Sequence, residues 1–158
     1  MSKQPTQRQL RRRIRVCIWI VIVGLFVSGV TAFPLESELA VIKDYIPAGV
    51  LNDWITKIYN TLHDVNLKYP YLSYGTDWLA FAHVMLAILF IGPLRDPKKN
   101  IWVIQFGMIA CVAILPLAFI AGPIRQIPFF WRLIDSSFGV FGIIPLWLAH
   151  GYVKRLRN

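Results

Sequence analysis

Four long apolar runs dominate the pattern of hydrophobic and polar positions along this chain. They cover residues 16–32, 78–94, 101–124 and 136–153, and none contains Asp, Glu, Lys or Arg. Since an α-helix rises about 1.5 Å per residue, each run can cross a hydrocarbon core of roughly 30 Å, the shorter ones barely. Hydrocarbon offers no hydrogen-bond partner to a backbone amide, so each run forms a helix. The pattern predicts an all-α membrane protein, a four-helix transmembrane bundle.

The segment between the first two runs, residues 33–77, has a helical pattern of its own. Over residues 48–67 apolar side chains recur at helical spacing with polar ones between them, which predicts an amphipathic helix. A shorter helix is expected over residues 36–45. Three positions are open for the apolar stripe of the longer helix: the membrane surface, the end of the bundle, or a groove on a partner protein.

Basic residues are concentrated in three of the segments outside the runs. Residues 1–15, 95–100 and 154–158 hold 12 of the 17 Lys and Arg residues and one of the 8 acids, Asp96. The other two segments hold the remaining 5 bases and 7 acids. This alternation follows the positive-inside rule and predicts that both termini are cytoplasmic. In a bacterium the membrane would be the inner membrane, with residues 33–77 in the periplasm.

Together these patterns predict one membrane domain with a simple order of segments. They are a basic cytoplasmic tail (1–15), a first transmembrane helix (16–32), an outer helical segment (33–77), a second transmembrane helix (78–94), a cytoplasmic loop (95–100), a third transmembrane helix (101–124), an outer loop (125–135), a fourth transmembrane helix (136–153) and a cytoplasmic tail (154–158).

The first run has a second interpretation. A basic start, an apolar stretch and the Val30-Thr31-Ala32 triplet resemble a cleavable signal peptide. The apolar stretch is long for that role, and we favour a retained helix. The orientation of the rest of the chain is the same in both cases.

Composition decides between a membrane and a nucleic acid as the partner. With 56% apolar residues, the chain lies outside the range of soluble domains. Its net charge of +9 flanks membrane-length runs, so topology explains the charge better than nucleic-acid binding does. We expect the lipid bilayer as the main partner, together with another membrane protein or a second copy of this chain, and no nucleic acid.

One histidine, His83, lies on a stripe of small residues in the second run. Ala80 and Ala87 share its helix face, and Gly139 and Gly142 form a similar stripe in the fourth run. Because small residues let membrane helices approach closely, we expect the two stripes to face each other, with the imidazole in the notch left by the glycines. Two roles fit this histidine: a packing residue, or a proton-handling group at the outer leaflet.

Charged residues flank the helix ends on the predicted outer side. His83, Asp77 and Asp135 are the candidate catalytic residues, since a nearby carboxylate can orient an imidazole or accept its proton. Arg125 and Arg132 are the candidate ligand-binding residues, because guanidinium groups bind phosphate and carboxylate headgroups. A simpler interpretation pairs the two acids with the two bases at the helix ends.

The histidines do not form an obvious haem site. His83 is expected roughly 8 Å and His150 roughly 21 Å below the outer helix ends, so a mismatch of ~13 Å argues against a shared haem. His63 lies outside the apolar runs. The sequence also has no P-loop, no HExxH motif, no nucleophile elbow and no paired cysteines. No cofactor and no metal site is predicted.

Glycine and proline mark the expected irregularities of the helices. The dipeptide Gly-Pro at 92–93 and at 122–123 predicts helix ends at which glycine adopts the left-handed conformation and proline stops the hydrogen-bond ladder. Pro116 and Pro145 lie inside the third and fourth runs and are expected to kink them.

Three blocks of the sequence carry a resemblance to a known group. They are residues 74–83 (YGTDWLAFAH), 92–97 (GPLRDP) and 127–135 (IPFFWRLID). These blocks resemble a small, uncharacterised family of bacterial four-helix integral membrane proteins, over most of the chain after Pro34. The resemblance implies the four-helix architecture and brings no assigned activity.

Three classes of function follow from these observations. The leading one is a non-enzymatic accessory or scaffold subunit of a membrane complex, because no catalytic set is visible. The first alternative is a lipid- or quinone-binding protein or enzyme that uses the His/Asp/Arg cluster of the outer leaflet. The second alternative is a redox or transport component. Four helices and one interior imidazole provide few groups from which to build a transport path.

Overall fold

The computed structural model describes residues 6–156, and every element within them is helical. The elements are α1 (Gln7–Ala32), α2 (Leu35–Tyr45), α3 (Val50–Lys68), a 3-10 turn (Pro70–Leu72), α4 (Tyr74–Leu89), α5 (Ile91–Arg95), α6 (Ile101–Pro116), a π-helical turn (Leu117–Ala121), α7 (Gly122–Ile124) and α8 (Phe129–Lys154). Residues 1–5 of the predicted basic N-terminal tail and residues 157–158 of the C-terminal tail lie outside the described residues.

Four helical stretches are long and apolar enough to cross a membrane: Gln7–Ala32, Pro70–Arg95, Ile101–Ile124 and Phe129–Lys154. Only 22% of the apolar window of each is buried inside the protein. Large apolar side chains such as those of Ile109 and Phe141 are therefore left exposed. Since water does not tolerate so much contiguous apolar surface, lipid is the solvent of these helices. The predicted fold class is confirmed, and the chain is a small integral membrane protein.

Two shorter helices connect the first and second membrane-length stretches, as predicted. The expected helices over 36–45 and 48–67 are α2 and α3. α1 begins at Gln7, so most of the basic segment before residue 16 is helical as well. The membrane boundaries assigned to the segments stay predictions.

The chain forms two compact units, and α1 and α4 each contribute residues to both. The hairpin unit consists of residues 24–86, which include α2, α3 and most of α4. The helix-pair unit consists, in its described part, of residues 6–23 and 87–156, which include α6 and α8.

In the hairpin unit, α3 packs its apolar stripe against α2. Ile55 on α3 is 5% exposed and Leu39 on α2 is 8% exposed. The Asn52 amide on α3 donates hydrogen bonds to the backbone carbonyls of Lys43 (2.6 Å) and Ile46 (2.9 Å). These bonds satisfy carbonyl groups that the end of α2 leaves free. Part of the stripe is thus covered by α2, whereas Val50 and Leu51 at the start of α3 stay exposed.

In the helix-pair unit, α6 and α8 form the main contact and run antiparallel. A Cβ added at Gly107 would lie 3.0 Å from Leu146, and one added at Gly139 would lie 2.5 Å from the Cys111 carbonyl oxygen. Glycine therefore lets the two backbones approach, as is common between membrane helices. The Arg13 guanidinium lies 5.7 Å from the centroid of the Tyr152 ring, so the start of α1 lies beside the end of α8.

The predicted left-handed glycines at 92 and 122 are wrong. Gly49 is the glycine with positive φ among the described residues, and the positive-φ residue that is not glycine is Gln126 (φ 57°). At the end of α7, the Ile127 amide donates to the Gly122 carbonyl and the Gln126 amide to the Pro123 carbonyl. This is the Schellman pattern, in which the residue after the helix cap is left-handed. The third membrane-length stretch therefore ends at Ile124, beyond its Gly-Pro pair, and Gln126 is the left-handed residue after the cap.

Proline affects the third and fourth stretches differently. α6 ends at Pro116, and the chain continues as a π-helical turn over Leu117–Ala121. Proline removes one backbone donor and crowds the turn that precedes it, whereas the irregular turn here follows Pro116. Around Pro145, α8 stays α-helical from Phe129 to Lys154. A kink at Pro145 stays a prediction.

Candidate functional site

The densest polar network in the described residues lies in the hairpin unit and joins α2 to α3. Glu36, in the first turn of α2, contacts His63 Nδ1 through Oε1 (2.6 Å) and accepts a hydrogen bond from the Asn66 amide at Oε2 (2.5 Å). The Ser73 hydroxyl donates to the amide oxygen of Asn66. The Tyr59 ring stacks on His63 with centroids 5.7 Å apart. We call Glu36, His63, Asn66 and Ser73 the hairpin network.

The chemistry of the hairpin network fixes where the protons lie. A carboxylate only accepts hydrogen bonds, so His63 Nδ1 donates to Glu36 and the lone pair or second proton resides on Nε2. The hydrogen bond from Asn66 and then that from His63 hold the pKa of Glu36 below its ordinary value of 4.5. Glu36 is therefore ionised at neutral pH and, lying in the first turn of α2, also faces the positive end of the helix dipole.

A cavity of about 230 Å³ lies next to this network, inside the hairpin unit. Its apolar wall comes from the end of α1, the start of α2 and one leucine of α3; its polar wall comes from α2, α3 and the start of α4. The lining residues are Ala32, Phe33, Pro34, Leu35, Glu36, Ser37, Leu62, Asn66, Ser73, Thr76 and Asp77. The cavity is thus lined by two carboxylates and several neutral polar groups, and by no Lys, Arg or His.

Two of the predicted catalytic residues, Asp77 and His83, lie on α4 in the hairpin unit. Asp77 lines the cavity and is half-buried. His83 is also half-buried, and its Nδ1 lies 2.8 Å from the Leu79 carbonyl oxygen one turn earlier. Because a carbonyl only accepts, His83 carries a proton on Nδ1, and Nε2 is the atom available for other chemistry.

The expectation that His83 fills the notch at Gly139 and Gly142 is wrong. A Cβ at Gly142 would lie 3.1 Å from the Cys111 sulfur, and Gly139 faces the Cys111 carbonyl. The notch is therefore occupied by α6. The small face of α4 meets α1 instead, since a Cβ at Gly29 would lie 2.8 Å from both the Ala80 carbonyl oxygen and the Val84 side chain.

The other three predicted residues, Arg125, Arg132 and Asp135, lie in the helix-pair unit. Arg125 is exposed at the cap of α7, whereas Arg132 and Asp135 are half-buried on α8. No ion pair joins these three residues to each other. The Ser136 hydroxyl donates to the Arg132 carbonyl in its own helix (2.7 Å).

The side chain of Arg132 is held in a defined position. Its aliphatic part lies against Gly122, at the place that a Cβ would occupy. Its guanidinium carbon lies 5.2 Å from the centroid of the Phe129 ring, and its Nε is buried without a hydrogen-bond partner. A buried N–H without a partner is costly, so a ligand that reached this donor would relieve that cost.

The five predicted site residues are thus divided between the two units, and their action as one site stays a prediction. Sequence reasoning missed Glu36, Asn66 and Ser73. The spacing of three between His63 and Asn66 places both on one face of α3, and Glu36 is an acid in a first helical turn. Those local signals exist, but nothing local indicates that the two helices bring them together.

No protein-family model matches this sequence, and no curated protein and no solved structure shows significant similarity to it. The resemblance of residues 74–83, 92–97 and 127–135 to a bacterial family is therefore supported only in its architecture, by the four membrane-length helices.

Proposed function

We propose that this protein is a non-enzymatic accessory or scaffold subunit of a membrane complex, and that the tip of the α2–α3 hairpin contacts a partner membrane protein. The supporting observation is a set of exposed apolar side chains on both sides of the turn between the two helices. They are Val41, Ile42 and Tyr45 on α2 and Val50 and Leu51 on α3, with Tyr45 83% and Val50 71% exposed. We call these five residues the hairpin tip.

The hairpin tip is carried by an ordered support. Asn52 bonds α3 to the end of α2, and the hairpin network bonds the start of α2 to the second half of α3. Apolar side chains on a rigid support lose little conformational entropy on binding, which favours a defined contact surface.

The charge of the segment favours a protein over an anionic membrane surface as its partner. Residues 33–69 contain five acids and three bases. Basic side chains attract anionic headgroups, each contributing about 1 kcal/mol near the surface, and a segment with excess acids lacks this attraction. Apolar and aromatic side chains with mixed charges around them are typical of protein interfaces.

Photo-crosslinking in native membranes tests this role. A photoreactive phenylalanine analogue replaces Tyr45 at the hairpin tip, and the matched control carries it at Asp64, an exposed polar position on α3. We expect one protein adduct of discrete mass from position 45 and none from position 64. A mass that corresponds to two copies of this chain identifies a homo-oligomer; lipid adducts alone, or the same adducts at both positions, contradict the proposal.

We also propose that both termini are cytoplasmic and that the α2–α3 hairpin lies on the opposite, periplasmic side of a bacterial inner membrane. The charge alternation along the sequence supports this orientation. The contact between Arg13 and Tyr152 agrees with it, because it brings two basic chain ends to one side.

A second candidate function is binding of a lipid or quinone headgroup through Arg132 and Arg125. The observation that favours it is the buried Nε of Arg132, which has no hydrogen-bond partner. Charge-assisted hydrogen bonds from guanidinium to phosphate are strong and geometrically specific. Asp135, which lies on α8 with Arg132, belongs to this candidate.

Native mass spectrometry of detergent-purified protein tests the headgroup site. The double variant Arg125→Gln/Arg132→Gln should lose co-purified phospholipid or quinone while it keeps its thermal unfolding midpoint. Gly122→Ala should produce part of the same loss, because a Cβ there displaces the Arg132 side chain. Lys154→Gln, which removes a charge at the opposite end of α8, is the control; equal retention in all variants rejects the site.

A further inference from the structure

From the geometry of the cavity in the hairpin unit we infer a binding site for a primary ammonium group. Asp77 is its anionic anchor, the hydroxyl groups of Ser37 and Thr76 are additional acceptors, and the wall formed by the end of α1 receives the attached carbon chain. This inference is independent of the accessory role and of the Arg132 headgroup site, since it uses other residues.

The first step concerns which polar groups of the cavity are free. Both carboxylate oxygens of Glu36 already accept hydrogen bonds, from His63 and Asn66. Asp77, Thr76 and Ser37 line the same cavity, and their side chains have no hydrogen-bond partner within the described residues. One half-buried carboxylate and two neutral hydroxyl groups are therefore available to a ligand.

The second step concerns the charge of that ligand. A carboxylate is an acceptor only, and a hydroxyl can always accept. With Glu36 and Asp77 both in the lining and no basic side chain there, the cavity disfavours an anion. A cation with several N–H donors matches it. A metal ion does not, because the described residues contain no group of three His, Cys, Asp or Glu side chains placed to hold one.

The third step concerns size and shape. A volume of about 230 Å³ exceeds the roughly 30 Å³ share of one water several-fold, so a ligand with several heavy atoms fits. Ala32, Phe33 and Leu62 supply the apolar part of the lining. An ammonium group on a short carbon chain places its N–H donors against the polar lining and its carbon atoms against the apolar lining. This chemistry occurs in free amines and in the headgroup of phosphatidylethanolamine.

Solution NMR of the full chain in phosphatidylcholine nanodiscs tests the site, with ethylammonium as the soluble probe. We expect saturable shifts of the Ser73 and Thr76 backbone amides in the wild type. Asp77→Asn should weaken binding about ten-fold or more, since it removes a charge-assisted hydrogen bond. Asp64→Asn, an exposed acid on α3 that does not line the cavity, should bind as the wild type does.

A second probe separates hydrogen-bond recognition from simple charge attraction. Tetramethylammonium has the same charge and no N–H donor, so its binding should be about ten-fold weaker or more. Equal affinity for the two cations, or unchanged affinity in Asp77→Asn, overturns the inference.

A lipid arm identifies the source of the ammonium group. If nanodiscs that contain phosphatidylethanolamine shift the same amides without added amine, and Asp77→Asn abolishes that shift, the ligand is a headgroup. If only ethylammonium does so, the ligand is a soluble amine. The site is rejected if neither lipid nor amine changes these resonances.

Discussion

At the scale of single residues, the turn between α2 and α3 depends on the backbone of Gly49. Its φ of 153° with ψ of −177° belongs to a region that is essentially restricted to glycine. A Cβ at this position would meet nothing within 4 Å, so the constraint is conformational and not steric. Gly49 therefore sets the direction in which α3 leaves the turn and packs on α2.

Gly49→Ala should lower the stability of the hairpin by about 1–3 kcal/mol. Gly75→Ala is the matched control: its Cβ also meets nothing within 4 Å, but Gly75 lies in α4 without a positive φ. There alanine should be neutral or stabilising by at most about 1 kcal/mol. Thermal unfolding in detergent and amide hydrogen exchange of α2 and α3 measure the difference; equal behaviour of the two variants contradicts the conformational argument.

The opposite substitution is favourable at Gln126. This residue has φ of 57° in the Schellman pattern after α7, a conformation that costs an L-residue roughly 1–2 kcal/mol. Gln126→Gly should therefore raise the free energy of unfolding by about 1 kcal/mol. Gln126→Ala removes the side chain but keeps Cβ, so it should give little of this gain. If alanine stabilises as much as glycine does, the side chain and not the backbone is the cause.

At the scale of helix pairs, the approach of α6 to α8 depends on Gly139. A Cβ there would lie 2.5 Å from the Cys111 carbonyl oxygen, a backbone atom that cannot move without moving α6. Gly139→Ala should destabilise the pair by about 1–3 kcal/mol, as overpacked cores do. Gly151→Ala on the same helix meets nothing within 4 Å and should be tolerated. Unfolding by sodium dodecyl sulfate titration compares the two, and similar midpoints would falsify the close contact.

The stability of the α2–α3 pair should depend on pH through Glu36. Since its pKa lies below 4.5 in the folded protein, Glu36 stabilises the hairpin at pH values above 4.5. This contribution is lost as the pH falls through the lowered pKa. The hydrogen-exchange protection factors of α2, which correct for the pH dependence of intrinsic exchange, should fall below that point in the wild type. Glu36→Gln should be looser already at neutral pH and less pH-dependent, whereas Glu38→Gln keeps the wild-type response; a wild-type pH response in Glu36→Gln contradicts the role of the pair.

The helices themselves were predictable because their signals are local. Charge-free runs of membrane length and the periodic residues of α3 need only neighbouring positions to be recognised. The partners of the helices were not predictable in this way. Glu36 and His63 are 27 positions apart and meet only because the chain reverses at Gly49. The Gly-Pro rule failed at Gly122 because the helix continues past the pair, since proline fits a first turn, and ends at Ile124.

At the scale of the whole molecule, the low burial of the four membrane-length helices separates two kinds of surface. Their exposed apolar side chains need no explanation beyond lipid. The exposed apolar residues of the hairpin tip belong to helices that are outside those stretches and contain Asp and Lys. If the hairpin lies in water, lipid does not cover these side chains, and a partner protein is the surface that would bury them.

The proposed orientation puts the hairpin in water on the periplasmic side, and single-cysteine labelling tests it. In a background with Cys17→Ala and Cys111→Ala, Asn60→Cys places a thiol on the exposed side of α3, and Lys99→Cys places one in the turn before α6. A membrane-impermeant maleimide should label position 60 in intact cells and position 99 only after permeabilisation, since basic segments are retained on the cytoplasmic side. The reverse pattern inverts the topology, and equal labelling of both positions in intact cells contradicts a single orientation. Either result would also remove the periplasmic partner proposed for the hairpin tip, because that surface would then face the cytoplasm in some or all molecules.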